Sequence, residues 1–187
     1  MPFLEIRLSD IIFDPKVQTY CISPNFKCPS YEHSWSCPPE APYLEELVSK
    51  FNKFYLIYYK LNITEQVKKE KAKNHEMNEN EIRNVLLIGN FLRNKLEEEI
   101  HIFFENYRTE CEQKLILWDG FCRTCFNEID KGCTYDDGDP CRYPDKKRFS
   151  MEAVGIDVTH TVRNLNFNIE WPPTNYVYRF GLVCFKQ

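Results

Sequence analysis

The cysteines of this chain constrain its fold more than any other feature, because seven of the nine fall into two dense groups. Cys122, Cys125, Cys133 and Cys141 occupy one short stretch, and Cys21, Cys28 and Cys37 another near the N-terminus; only Cys111 and Cys184 stand apart. Gly120, Gly132, Gly138 and Pro140 punctuate the first stretch, and Pro29, Pro38 and Pro39 the second. Such backbone forms loops rather than long regular elements. Thiols crowded into loops are a ligand set for a soft metal centre, so the remainder of the chain has to be a scaffold that holds two irregular loops.

The material for that scaffold is present. A chain of 187 residues suits one domain over 1–187, and 43% hydrophobic residues supply a core. A formal net charge of −4 leaves no basic footprint for nucleic acid. No apolar run approaches the ~20 residues that span a bilayer, and the N-terminus lacks the basic and apolar regions of a secretory signal. The expectation is therefore a cytoplasmic protein whose thiols stay reduced and bind metal rather than pairing as disulfides. In that setting the Asn62-Ile63-Thr64 glycosylation match is a coincidence.

Periodicity outlines the elements. Phe3 to Phe13 alternates and starts with a short strand, and Pro42 opens a helix carrying Leu44, Leu47, Val48 and Phe51. Phe54 to Tyr59 is a β-prone run, a buried strand. Asn62 to Asn80 turns rich in Lys, Glu and Asn, either a solvated helix or an exposed loop, and reads as a charged surface excursion over 62–80. One long helix follows, its stripe running from Ile82 through Val85, Leu92, Leu96 and Ile100 to Tyr107, with Asn78 and Glu81 capping its start. Lys114 to Trp118 is a strand, linked to the earlier one as by a crossover. Short helical segments at Ser150–Val154 and Val158–Asn164 and a strand from Tyr176 to Phe185 complete the chain. The expected class is α+β (or α/β): a small mixed sheet covered by helices, with metal loops at one edge.

In the C-terminal group, Cys122-Arg-Thr-Cys125 lets two sulfurs reach one centre from a tight turn, and Cys133 and Cys141 complete a set of four. Seven residues separate Cys125 from Cys133 and seven separate Cys133 from Cys141, which matches neither a compact ferredoxin run nor a zinc ribbon. Four thiolates suit Zn²⁺ or a [4Fe–4S] cluster. In the N-terminal group, Cys28 and Cys37 each precede a proline, as recurs in iron–sulfur loops, and three thiols leave a position for Cys111, His33, water or substrate. Arg123, Arg142, Lys146, Lys147 and Arg148 gather around the second loop, where they would meet an anion or offset thiolate charge. Glu152 is a candidate proton donor, Asp157 a helix cap, His160 a structural residue and Trp35 a shield for a metal centre.

Three segments together resemble a known family: Tyr31-Glu-His-Ser-Trp-Ser-Cys37-Pro-Pro39, the Cys122-Arg-Thr-Cys125 to Cys141-Arg-Tyr-Pro144 stretch, and Arg148-Phe-Ser-Met-Glu-Ala-Val-Gly-Ile-Asp157. They are similar to the prokaryotic predicted metal-binding proteins of domain of unknown function 2284. The resemblance spans most of the chain and implies metal binding, with an iron–sulfur cluster favoured. The residues suggest a protein carrying one or two iron–sulfur centres that passes electrons to a redox partner or acts on a small, anionic molecule. A structural-zinc interaction module and a metal carrier or sensor are the alternatives. No phosphate loop, Ser–His–Asp set or dinucleotide fingerprint is present.

Overall fold

The structure is a computed structural model that describes residues 2–24, 26–107 and 110–187. Its strands are β1 (Phe3–Ile6), β2 (Ile22–Ser23), β3 (Phe26–Lys27), β4 (Lys53–Asn62), β5 (Gln113–Leu117) and β6 (Tyr176–Lys186). Its α-helices are α1 (Glu45–Val48), α2 (Ile63–Lys73), α3 (Glu79–Ile88), α4 (Phe91–Asn106), α5 (Thr124–Ile129) and α6 (Val158–Asn164). The class is α+β. The main sheet has the order β1-β4-β6-β5, and β2 pairs with β3 in a separate two-residue ladder.

Every pair in the main sheet is antiparallel, so the expected mixed sheet is corrected. The crossover is nevertheless real. β4 and β5 both run antiparallel to β6 and are therefore parallel to each other, with the C-terminal strand inserted between them. Local sequence cannot reveal that insertion, because the chain that fills the gap arrives last.

Strand alternation divides the core in two. Phe54 and Leu56 of β4 and Leu182 and Cys184 of β6 face one side, where they pack with Val48, Met151, Ile156 and Val162. Tyr55, Ile57, Val183 and Phe185 face the other and meet Leu96, Ile100 and Phe103 of α4. Leu56, Ile100 and Leu182 are wholly buried, and each such side chain contributes about 2 kcal/mol through removal from water.

Three helical expectations change. The expected long helix is two helices, broken where Gly89 takes an extended ψ of −179° and ends α3. The low helix propensity of Gly explains the position, and Val85, which sits on the sequence stripe, is left in solvent. The charged excursion over 62–80 is mostly helix α2, and it buries Ile63 and Val67 against Ile82, Leu86, Leu92 and Val177. The helix expected from Pro42 contracts to the single turn of α1, since Phe51 already leads into β4. The capping pair is as expected: Asn78 accepts from the Glu81 amide at 3.0 Å, and Glu81 accepts from the Asn78 amide at 2.7 Å.

At the end of β5 the Trp118 amide donates to the Phe149 carbonyl at 2.7 Å, and the Met151 amide donates back to Trp118 at 3.3 Å. Residues 119–149 therefore leave the sheet and return beside it as one closed excursion, which carries all four C-terminal-group cysteines. None of the described helices is long and apolar enough to cross a membrane.

Candidate metal centre

The N-terminal thiols are brought together by short-range backbone structure. The Cys28 amide donates to the Cys21 carbonyl at 2.8 Å, closing the β2–β3 ladder, and a turn from Cys28 to Tyr31 leads towards Cys37. Burial pushes the Cys21 thiol up to about 11, and repulsion from Cys28 and Cys37 adds to it. Burial also raises Cys37, the hydroxyls of Ser34 and Ser36 oppose that rise, and Cys28 and Cys122 reinforce it. Cys122 of the other loop thus stands within electrostatic reach of Cys37. The Gln18 side-chain amide anchors this loop by donating to the Ala41 and Ala153 carbonyls, both at 2.9 Å.

The C-terminal loop is shaped at its entry by Gly120. Its φ is +70°, and a side chain there would lie 2.8 Å from the Arg93 guanidinium, so only glycine fits. Cys122 follows in the turn, its thiol 3.4 Å from the Thr124 hydroxyl, and Cys125 sits in the first turn of α5. Thr124 donates to the Lys146 carbonyl at 2.8 Å, Thr134 to that of Pro140 at 2.9 Å and Arg142 to that of Gly132 at 2.8 Å, which together fold the loop on itself.

The two loops meet, which neither composition nor spacing could establish. The Trp35 indole donates to the Asp139 carbonyl at 3.1 Å and stacks edge-on against Tyr135 at 4.9 Å. His33 Nδ1 lies 2.7 Å from Asp136 Oδ1. Between the loops is a cavity of about 340 Å³ onto which Cys122, Cys125, Cys133 and Cys141 all open, with Trp35 and Ser36 on the opposite wall. Cys21, Cys28 and Cys37 are not among the residues that line the cavity. Among the described residues no three His, Cys, Asp or Glu side chains converge at the spacing of a single bound ion.

The donor chemistry fits a soft metal group. Thiols open onto the cavity, no carboxylate is among its described lining residues, and Arg123, Lys131 and Lys147 supply positive charge against thiolates. A hard cation such as Ca²⁺ or Mg²⁺ would require oxygen ligands. Cys122, Cys125, Cys133 and Cys141 are the residues that would hold the group at the cavity, and Cys21, Cys28 and Cys37 are a second set beside it. Cys184 is fully buried in the sheet core, where burial pushes its thiol up to about 12, and Cys111 packs at the edge of the α4 core; both lie apart from the two loops.

The other singled-out residues are mostly engaged. His160 Nδ1 is 2.6 Å from Asp157, and Asp157 caps α6 by accepting the His160 amide at 2.9 Å. Arg123, almost wholly buried, donates to Asn94 at 2.7 Å and pairs with Glu97, which also takes Arg148 at 3.0 Å. Arg148 stacks over Trp118 at 4.3 Å. Arg142 and Arg148 do not line the thiol cavity; Lys131 and Lys147 do. Sequence reading missed Asn94 and Glu97, which fasten the CxxC loop to α4, and a second polar group of Arg93, Asp119 and Arg179. An arginine inside the otherwise β-prone final strand was the available signal for the latter.

A cysteine-rich α+β fold with thiols lining an interloop cavity defines a metal-binding class of protein. The chain belongs to the family of predicted metal-binding proteins, DUF2284, whose model matches residues 4–185. Comparison with curated proteins gives no match, and comparison with solved structures gives none.

Proposed function

We propose that this is a cytoplasmic iron–sulfur protein that transfers electrons to a partner or acts in redox chemistry on a small molecule. The observation that carries the reading is that four thiols from one loop line a single cavity, with Cys122 within electrostatic reach of Cys37 of the other loop. Zinc bound by thiolates needs its sulfurs about 2.3 Å from one ion, whereas an iron–sulfur cluster spreads its thiolates over several irons. A cavity of about 340 Å³ lined by four thiols has room for the larger group. Cys122, Cys125, Cys133 and Cys141 hold one centre, and Cys21, Cys28 and Cys37 contribute to a second, with Cys122 at the junction.

When bound, such a cluster supplies one-electron chemistry. The chain's own residues set the surroundings: Trp35 covers one wall, Ser34 and Ser36 donate towards Cys37, and Lys131 and Lys147 offset negative charge. Hydrogen bonds and burial of this kind tune cluster potential. The basic rim suits an acidic partner surface or an anionic small molecule, and Phe126, a cavity residue that is 61% exposed, offers that partner an apolar contact. Electron paramagnetic resonance of the anaerobically prepared, dithionite-reduced protein tests the reading. A cluster signal lost in Cys125→Ser is expected; a silent spectrum from protein rich in bound zinc contradicts it.

A further inference from the structure

A second and larger cavity, of about 450 Å³, lies where β6 runs past the end of β5, with α6 on one side and the loop through Trp171 on the other. Nothing in the metal reading uses it. Its walls are apolar and aromatic, from Val158, Val162, Ile169, Tyr178 and Phe180, and Trp171 stands 90% exposed at the rim. Its polar residues are Asp119, Glu152, Thr159, Arg163, Glu170 and Arg179.

The uncommitted polar capacity there is mainly that of hydrogen-bond donors. Arg179 donates to the Leu87 carbonyl at 2.8 Å and lies 3.4 Å from Asp119, but its Nε is buried without a partner. Arg163 sits on the exposed face of α6 with no ion pair among the described residues. The carboxylates are largely engaged. Asp119 lies between two arginines, with Arg93 Nε 3.7 Å from its otherwise unpartnered Oδ2. Glu170 accepts from the Thr174 amide at 3.0 Å, the Asn175 amide at 3.3 Å and the Thr174 hydroxyl. Glu152 is solvent-exposed by surface area yet crowded by protein, and that crowding, followed by the charge of Asp119, pushes its carboxyl up to about 7.

We infer that this cavity binds a small organic acid, its carboxylate received by Arg179 and Arg163 and its apolar or aromatic body held by Tyr178, Phe180 and their neighbours. Arg179 is partly exposed and keeps one N–H without a partner; a guanidinium with such spare capacity is a charge-assisted donor for a carboxylate, and an apolar pocket with a few convergent polar groups is the usual form of a small-molecule site. The inference does not depend on which metal the thiols hold.

The test uses the full-length, anaerobically purified protein and four probes: benzoate, phenylacetate, benzyl alcohol and benzamidine. Binding is read by ligand-observed NMR and by fluorescence of Trp171, with Trp171→Phe as the control. Benzoate and phenylacetate should bind about tenfold or more tightly than benzyl alcohol, a difference of about 1.4 kcal/mol, and benzamidine most weakly. Arg179→Gln should cost about tenfold in benzoate affinity. Arg163→Gln, on a solvent-facing helix surface, should weaken it severalfold with the fold intact, so it decides the matter if Arg179→Gln does not fold. Lys147→Gln, at the thiol cavity, should leave it unchanged. Equal binding of benzamidine, absence of benzoate binding, or affinity unmoved by both arginine variants would overturn the inference. So would loss of binding in Lys147→Gln, which would place the anion at the thiols.

Discussion

Trp35 donates its indole N–H to the carbonyl of Asp139 at 3.1 Å and so ties the loop bearing Cys37 to the loop between Cys133 and Cys141. Trp35→Phe keeps an aromatic wall and removes this bond. A bond of this kind contributes about 1 kcal/mol, so Tm should fall by about 2–4 °C for a chain of this size. Metal should also be lost to a chelator faster than from the wild type. Unchanged release kinetics would show that the bond does not hold the loops together.

Glu97 receives both Arg123 and Arg148 at the root of the CxxC loop, and Arg123 is only 8% exposed. Removing the carboxylate leaves a buried guanidinium without its counter-charge. Glu97→Ala should therefore lower stability by about 3 kcal/mol, read as a shifted urea midpoint. A change below about 0.5 kcal/mol, the range of ordinary surface substitutions, would mean the network is incidental.

Cys122 opens onto the interloop cavity and also lies within electrostatic reach of Cys37. On the proposed two-centre reading, Cys122→Ser should perturb both centres and lose more metal than Cys125→Ser, which should affect the cavity centre alone. The double variant Cys28→Ser, Cys37→Ser should lose metal with the cavity centre retained. Cys184→Ala, a change in the sheet core, should retain the wild-type metal content. Metal analysis of the four proteins checks all of these, and equal losses from Cys122→Ser and Cys125→Ser would remove Cys122 from the junction.

Glu152 also predicts a pH effect on stability. Its folded carboxyl is raised to about 7 from an ordinary value of 4.5, first by desolvation and then by Asp119. Between those values the folded state binds more protons than the unfolded state, so this group's contribution is full at low pH and is lost as pH rises to about 7. The stability difference between wild type and Glu152→Gln should accordingly shift in favour of the variant across that window. A difference that stays flat from pH 4.5 to 7 would show an ordinary carboxylate.

The parts of the molecule legible in its sequence are those governed by near neighbours. The Asn78–Glu81 cap, the Asp157 cap and the strand cores of β4, β5 and β6 all follow from local pattern. Cysteine density similarly pointed to the loop that rings the cavity. The order of the sheet was not legible, because β6 enters between two earlier strands. The break at Gly89 was hidden by an apolar stripe that runs through it. The groups joining the loops to the scaffold, Trp35 with Asp139 and Arg123 with Glu97, lie 104 and 26 residues apart and exist only once the chain has folded.

The proposed redox role requires that these thiols hold iron and sulfide. The most direct test is quantitative iron, zinc and acid-labile sulfide analysis of full-length protein purified without oxygen. The account predicts a brown protein with iron and sulfide in near-equal amounts, both falling sharply in Cys125→Ser. A colourless protein holding stoichiometric zinc and no sulfide would contradict it.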